Sequence, residues 1–296
     1  MANPPWANRP VSGNSPWTDR SSLSGVPSST LKKGHPGPQE SGKLYHNVEH
    51  TLRVERYAMQ FASRWGLPYD QARFLSSVAL VHDWDPERPP GVPAAVSSTL
   101  RVLETCPEWS QRLGWTHNQL MMALAIIQRT EFPFEETART LYIQRIERVQ
   151  GRENQRFVIE QAPLLSEYAD KGSYYTSASF RSCFDAVKGL VNELTQKGIQ
   201  GMTVAGMAQQ TPAFIAALGL PKAFLHDIFV AEHFGFGDLS FPDAGAVLTP
   251  HQQARLGAAS QGFQQYAKSV QAGMDHATAY RAARAAVLQA LRSYRG

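Results

Sequence analysis

The sequence predicts an all-α protein, and three observations carry that expectation. From about residue 44 onward apolar residues recur at three- and four-residue spacing. Almost no stretch alternates with period two for long enough to form a sheet strand. The breaks between apolar segments hold helix terminators and caps such as Gly66-Leu67-Pro68 and Thr249-Pro250. A chain of 296 residues with 43% hydrophobic content can bury one sizeable core, or one core and a smaller appended unit.

The elements follow in order. Residues 1 to 42 hold 7 Pro, 5 Gly and 8 Ser. Such a segment buries too little apolar surface to offset its ordering entropy, so a disordered leader is expected, with Trp6 and Trp17 as stray aromatics. A first helix is expected over about 45 to 65, closed by Gly66 and Pro68. A second starts near Asp70 as N-cap and carries Phe74, Leu75, Val78, Ala79 and Val81 down to His82-Asp83. Four prolines, Pro86, Pro89, Pro90 and Pro93, exclude a continuing helix and make the next segment a rigid loop. Further helices are expected at about 94 to 105, 117 to 129 with Thr116 and Gln119 as a capping box, 135 to 149, 154 to 170 and 177 to 197.

A compact domain over 43 to 198 would then close near Gly198, leaving 199 to 296 as a C-terminal helical extension. There Thr249-Pro250 supplies the cap and first residue of a long helix, and Asp275 caps the last one. The pairs Ala282-Ala283 and Ala285-Ala286 fit close packing against the body or against a second copy in a homodimer.

Composition narrows the partners. A formal charge of +4 with scattered positive residues gives no nucleic-acid-binding arm. The two cysteines, Cys106 and Cys183, form neither a disulfide framework nor a zinc finger, which fits a reducing, cytoplasmic setting. No secretory h-region and no run of about 18 apolar residues occurs, so no membrane span is expected.

Chemistry concentrates in Tyr45-His46-Asn47-Val48-Glu49-His50-Thr51 and in His82-Asp83. Three imidazoles and a carboxylate suit a borderline or hard divalent cation. At helical spacing His46 and His50 continue into Val54, Tyr57 and Phe61, so both histidines are expected on a core-facing line. A second stripe, Val48, Leu52, Met59 and Ala62, suggests cover on two sides of the helix. His82 continues Leu75 and Val78, and Asp83 continues Ala72 and Ala79, so two helices would bring their polar ends together. A lone His-Asp pair is uninformative, since about 0.3 are expected by chance at this composition. His226-Asp227 is a second copy without an upstream H-x-x-x-H, and is not expected to be a site.

The Tyr45-His46-Asn47-x-x-His50-Thr51 and Val81-His82-Asp83 segments resemble the HD superfamily of metal-dependent phosphohydrolases, over roughly residues 44 to 195. The Y-H-N-x-x-H form is especially similar to cyclic-nucleotide phosphodiesterases and related bacterial HD proteins. This resemblance implies an HD-domain helical bundle. It also implies a divalent ion (zinc, manganese, magnesium, iron, nickel or cobalt) bound by His50, His82, Asp83 and a distant aspartate. Asp170 looks like that terminal residue, with Asp185 as competitor. His46 matches the histidine that protonates the leaving oxygen, and Asp83 would bridge toward a second position or orient a water.

The implied activity is hydrolysis of a small phosphorylated substrate, a nucleotide or another phosphate ester. Arg88 and Lys171 neighbour the implied ligands and are the better candidates for phosphate contacts, ahead of Lys43 and Arg129. Glu49 or Glu131 would orient a histidine, and Glu131 is also a candidate contact for a second metal or the substrate. Between His-Asp and Asp170 the chain has only His117, fewer histidines than multi-metal relatives carry, which disfavours a diiron oxygenase. A non-catalytic HD module for ligand sensing or protein interaction is the other alternative.

Overall fold

Thirteen α-helices and one π-helical turn make up the regular structure of the described residues, and no strand occurs among them, as the sequence predicts. The computed structural model describes residues 45–86, 88, 92–176, 179–218 and 224–294. The expected leader, with Trp6 and Trp17, and Lys43 lie outside these. Among the described residues no helix is long and apolar enough to cross a membrane.

Helix α1 (Val48–Arg64) starts later than its periodicity suggests, because Asn47 is the N-cap and its side chain accepts the His50 backbone N–H. His46 therefore precedes the helix instead of lying one turn before His50 on the same face. The buried face is His50, Thr51, Val54, Tyr57, Ala58, Phe61 and Ala62, as the first stripe predicts. The second stripe is covered only in part: Ala62 is buried, Val48 and Met59 are half-buried, and Leu52 is 41% exposed. Packing of α1 is concentrated on helix α2 (Tyr69–Val81) and the π turn, which leaves that flank open. In α2 the cap position is Pro68, whose ring presets φ, and Asp70 sits in the first turn where its charge suits the helix dipole.

Helices α3 (Val96–Thr105) and α4 (Pro107–Arg112) lead to α5 (His117–Gln128), which opens with the expected Thr116–Gln119 capping box. From Met122 to Gln128 every residue of α5 is buried. A helix apolar on all sides is a central one, and α5 packs on α2, α3, α6 (Glu136–Glu147) and α7 (Arg152–Leu164). Pro163 lies inside α7 and has no N–H to offer the turn before it. Two residues later the helix widens into the π turn Leu165–Lys171. That turn closes on Gly172, where an added Cβ would lie 2.8 Å from the Glu167 carbonyl oxygen and 2.9 Å from that of Tyr168.

Downstream come α8 (Phe180–Gln196), α9 (Val204–Ala217), α10 (Leu225–His233), α11 (Ala244–Val247), α12 (Pro250–Gln271) and α13 (His276–Ser293). Thr249 and Asp275 cap the last two as expected. One connected set of buried apolar side chains runs from Val54 to Val287 and includes Ala208, Phe263 and Ala283. Helices α12 and α13 pack closely at Gly262, where a Cβ would meet Val287 at 2.5 Å and Phe180 at 2.7 Å.

The π turn is tied down from outside by a buried arginine. Arg129, at the C-cap of α5, donates Nε and Nη2 to the two oxygens of Asp227 on α10 at 2.7 and 2.8 Å. Its Nη1 donates to Ser166 Oγ in the π turn and lies 3.3 Å from Glu167. The second His-Asp pair is thus structural at its aspartate. Arg129 is also not a phosphate contact, because its fork is spent on Asp227. Removing one partner of a buried pair leaves the other charge uncompensated, at a cost of about 3–5 kcal/mol. Arg129→Met is therefore expected to lower the unfolding free energy by about that amount, and adding Asp227→Leu should recover most of it; chemical denaturation of the three proteins checks both.

Candidate metal centre

Four side chains meet from three parts of the chain. His50 comes from the first turn of α1, His82 is the C-cap of α2, Asp83 follows it, and Asp170 lies in the π turn. All four are buried. His50 Nε2 is 3.2 Å from Asp83 Oδ2 and 3.1 Å from Asp170 Oδ1. His82 Nε2 is 2.9 Å from Asp83 Oδ2 and 4.0 Å from Asp170 Oδ1. Donors at about 2.1 Å from one ion stand about 3.0 Å apart when cis in an octahedron and about 3.4 Å apart in a tetrahedron. The observed spacings bracket both.

Direction matters as much as distance. His50 Nε2, His82 Nε2, Asp83 Oδ2 and Asp170 Oδ1 are each buried without a hydrogen-bond partner, although they lie close enough to make bonds with one another. The four atoms lie close together without a bond of good hydrogen-bond geometry between them, an arrangement that could hold an ion. His82 Nδ1 lies 2.7 Å from the Ala79 carbonyl oxygen and donates to it, so that in the neutral ring Nε2 is the nitrogen that carries the lone pair. The His50 ring lies parallel to Tyr174 at 5.3 Å and also packs on Tyr45, so its plane is held by aromatic contact.

His46 stands at the edge of this cluster, within 4.8 Å of ligand atoms of His50 and Asp83, and its side chain is 20% exposed. Glu193 on α8 fixes it twice. Oε1 accepts the His46 backbone N–H at 2.8 Å and Oε2 faces Nδ1 at 2.5 Å. Nε2 is left as the ring's second functional atom.

The electrostatics are those of a closely coupled charge cluster. Burial opposes the charged form of His82, but the adjacent Asp83 carboxylate more than offsets it and raises the imidazole to about 9. Burial likewise opposes a charged His46, and Asp83 with Glu193 outweighs it, raising His46. Burial also opposes ionisation of Asp83 and Asp170, yet the surrounding imidazoles hold both below the usual carboxylate range.

The other expected residues fall as follows. Asp185, the competitor for Asp170, is exposed on α8 beside Arg181 and Lys188. His117 is exposed. Lys171 is turned to Glu167 Oε1 at 2.7 Å, so its ammonium is already engaged. Glu131 is half-buried and accepts from Gln128, and Glu49 is exposed and paired with Arg53; neither holds a histidine. Glu193 does so instead, 147 residues from His46. Its signal in the sequence is that it continues Ala186 and Gly189 on the buried line of α8, a carboxylate where an apolar residue is expected. Arg88 lies near Asp83, Asp85 and Glu193.

The fold and this cluster define an all-helical protein with two overlapping histidine and aspartate groups that could hold a metal ion, His50–His82–Asp170 and His46–His50–Asp83. No protein-family model, no curated protein and no solved structure matches the chain.

Two substitutions separate the ligands from their support. Asp170→Asn, which keeps shape and removes charge, is expected to weaken binding of a divalent ion at least about tenfold. Gly172→Val, which touches no ligand but crowds the π-turn carbonyls, is expected to weaken it about 10–100-fold. Titration of metal-free protein with zinc or manganese, followed by calorimetry, checks both.

Proposed function

We propose that this protein is an HD-type metal-dependent phosphohydrolase that cleaves a phosphate ester, of a nucleotide or another small phosphorylated metabolite. The observation that carries the reading is the set of four converging, otherwise unpartnered atoms on His50, His82, Asp83 and Asp170, with His46 beside them. It is the same set that the resemblance of the Y-H-N-x-x-H and H-D segments implies. The donor set of two imidazole nitrogens and two carboxylate oxygens fits a divalent ion of the zinc, manganese or iron kind. Such an ion, when bound, supplies Lewis acidity and lowers the pKa of a coordinated water.

The chain's own residues do the rest. Asp83, between His50 and His82 and within 4.8 Å of His46, orients the attacking water. The attacking oxygen, having given up one proton to solvent, bonds to phosphorus as the ester P–O bond breaks and its electron pair leaves with the alkoxide. His46 Nε2 gives that oxygen a proton, while Glu193 on Nδ1 holds the ring in place and stabilises the imidazolium before transfer. Burial of the four ligands keeps bulk water from competing for the ion. The role of Glu193 resembles that of a carboxylate behind any catalytic imidazole: it selects the tautomer that presents Nε2.

The test is a screen of metal-loaded protein against phosphate monoesters, cyclic nucleotides and nucleoside triphosphates. Turnover that chelation abolishes and metal restores is expected for one of these classes. His46→Asn is expected to lower kcat about 10²–10⁴-fold while metal content stays unchanged. Inactivity on every class at full metal content would sink the hydrolase reading and favour a non-catalytic module.

A further inference from the structure

We infer that Arg88 is the anion fork of this site, built to grip the non-bridging oxygens of a phosphoryl group beside the metal cluster. The inference rests on the hydrolase reading for the identity of the anion, and on Arg88 itself for the existence of the fork.

Both terminal nitrogens of Arg88, Nη1 and Nη2, are buried and have no hydrogen-bond partner. A guanidinium keeps its charge in proteins and carries five N–H donors, so leaving two nitrogens unsatisfied in the interior costs free energy that a buried cation ordinarily avoids by pairing. Burial does pull its pKa down, yet the nearby carboxylates of Asp83, Glu193 and Asp85 favour the charged form. None of the three accepts a hydrogen bond from those nitrogens. Their own geometry accounts for this. Both Glu193 oxygens face His46, Asp85 accepts from the Ser98 hydroxyl, and Asp83 Oδ2 faces His50 and His82. Three carboxylates hold the cation in the neighbourhood, while both Glu193 oxygens, Asp85 Oδ2 and Asp83 Oδ2 face other partners.

An external acceptor of matching shape then completes the site. A phosphoryl group offers two oxygens at the spacing of the guanidinium fork, which a carboxylate already engaged with His46 or Ser98 does not. Among the described residues two other candidate cations are engaged: Arg129 by Asp227, and Lys171 by Glu167. Arg88 follows Asp83 by five residues, and its backbone N–H donates to the Asp85 carbonyl at 3.2 Å, a turn that starts directly after the ligand pair. The same short segment thus carries two ligands and the anion donor. Asp83 and Glu193, the carboxylates near Arg88, are also those that act on His46, so an anion on the fork would stand in the neighbourhood of that histidine.

The experiment measures binding of inorganic phosphate by calorimetry to the full chain, with and without zinc or manganese, alongside metal analysis of each sample. Phosphate affinity is expected to fall at least about tenfold in Arg88→Gln at unchanged metal content and melting temperature. Arg88→Lys should recover only part of it, because an ammonium restores charge but not the two-pronged geometry. Equal phosphate affinity in wild type and Arg88→Gln, or no phosphate binding to the metal-loaded wild type, would overturn the fork. Arg88-dependent phosphate binding by a protein that takes up no divalent ion would uphold the fork and remove the hydrolase reading, so the two ideas fail separately. If Arg88→Gln does not fold, the Arg88→Lys affinity decides alone, with wild-type-like binding as the contrary result.

Discussion

The structure depends on an unusual constraint: two imidazole nitrogens and two carboxylate oxygens face one another at 2.9–4.0 Å in a dry interior, as charged neighbours with no partner of good hydrogen-bond geometry. A single buried polar atom left unpaired costs about 1–3 kcal/mol. Four of them at one point would be a large fraction of the stability of an ordinary domain. Such an arrangement persists when the folded state gains something that the contacts within the chain do not supply. A divalent ion satisfies all four atoms at once, and it neutralises two carboxylates held close together.

Much of the surrounding architecture serves to bring the fourth atom back. His50, His82 and Asp83 come from adjacent helices that pack along one another, so their meeting is local. Asp170 arrives only after five more helices, α3 to α7, have built the centre of the core. The widened turn that carries it begins just past Pro163, is closed by Gly172, and is held from outside by Arg129 through Ser166 and Glu167. π turns are costly and are used where a side chain must be re-aimed. Here the side chain that the turn aims into the cluster is Asp170. The second His-Asp pair belongs to this support, since Asp227 is what keeps Arg129 in the interior.

The legible parts of the sequence are those set by local rules. Helix periodicity, the Thr116–Gln119 and Thr249 caps and the Gly66-Leu67-Pro68 stop depend on neighbours within a turn, and they agree with the structure. His50 on a buried line of α1 and His82-Asp83 at the end of α2 were readable for the same reason. What was not readable depends on long-range packing. The start of α1 moved because Asn47 outcompetes its neighbours as a cap, which takes His46 off the helix and hands its orientation to Glu193. The role of Arg129 changed once its partner turned out to be an aspartate 98 residues away. Lys171 lost its candidacy through Glu167, one helical turn before it, a pairing visible in the spacing but overshadowed by its neighbour Asp170.

The central claim is that one ion joins His50, His82, Asp83 and Asp170. Crystals of the protein grown with zinc or manganese, measured on both sides of that metal's absorption edge, test it most directly. One anomalous peak at about 2.0–2.2 Å from His50 Nε2, His82 Nε2, Asp83 Oδ2 and Asp170 Oδ1 is the expected result. No peak at that point, with the histidines instead rotated into hydrogen bonds with the two aspartates, would contradict it.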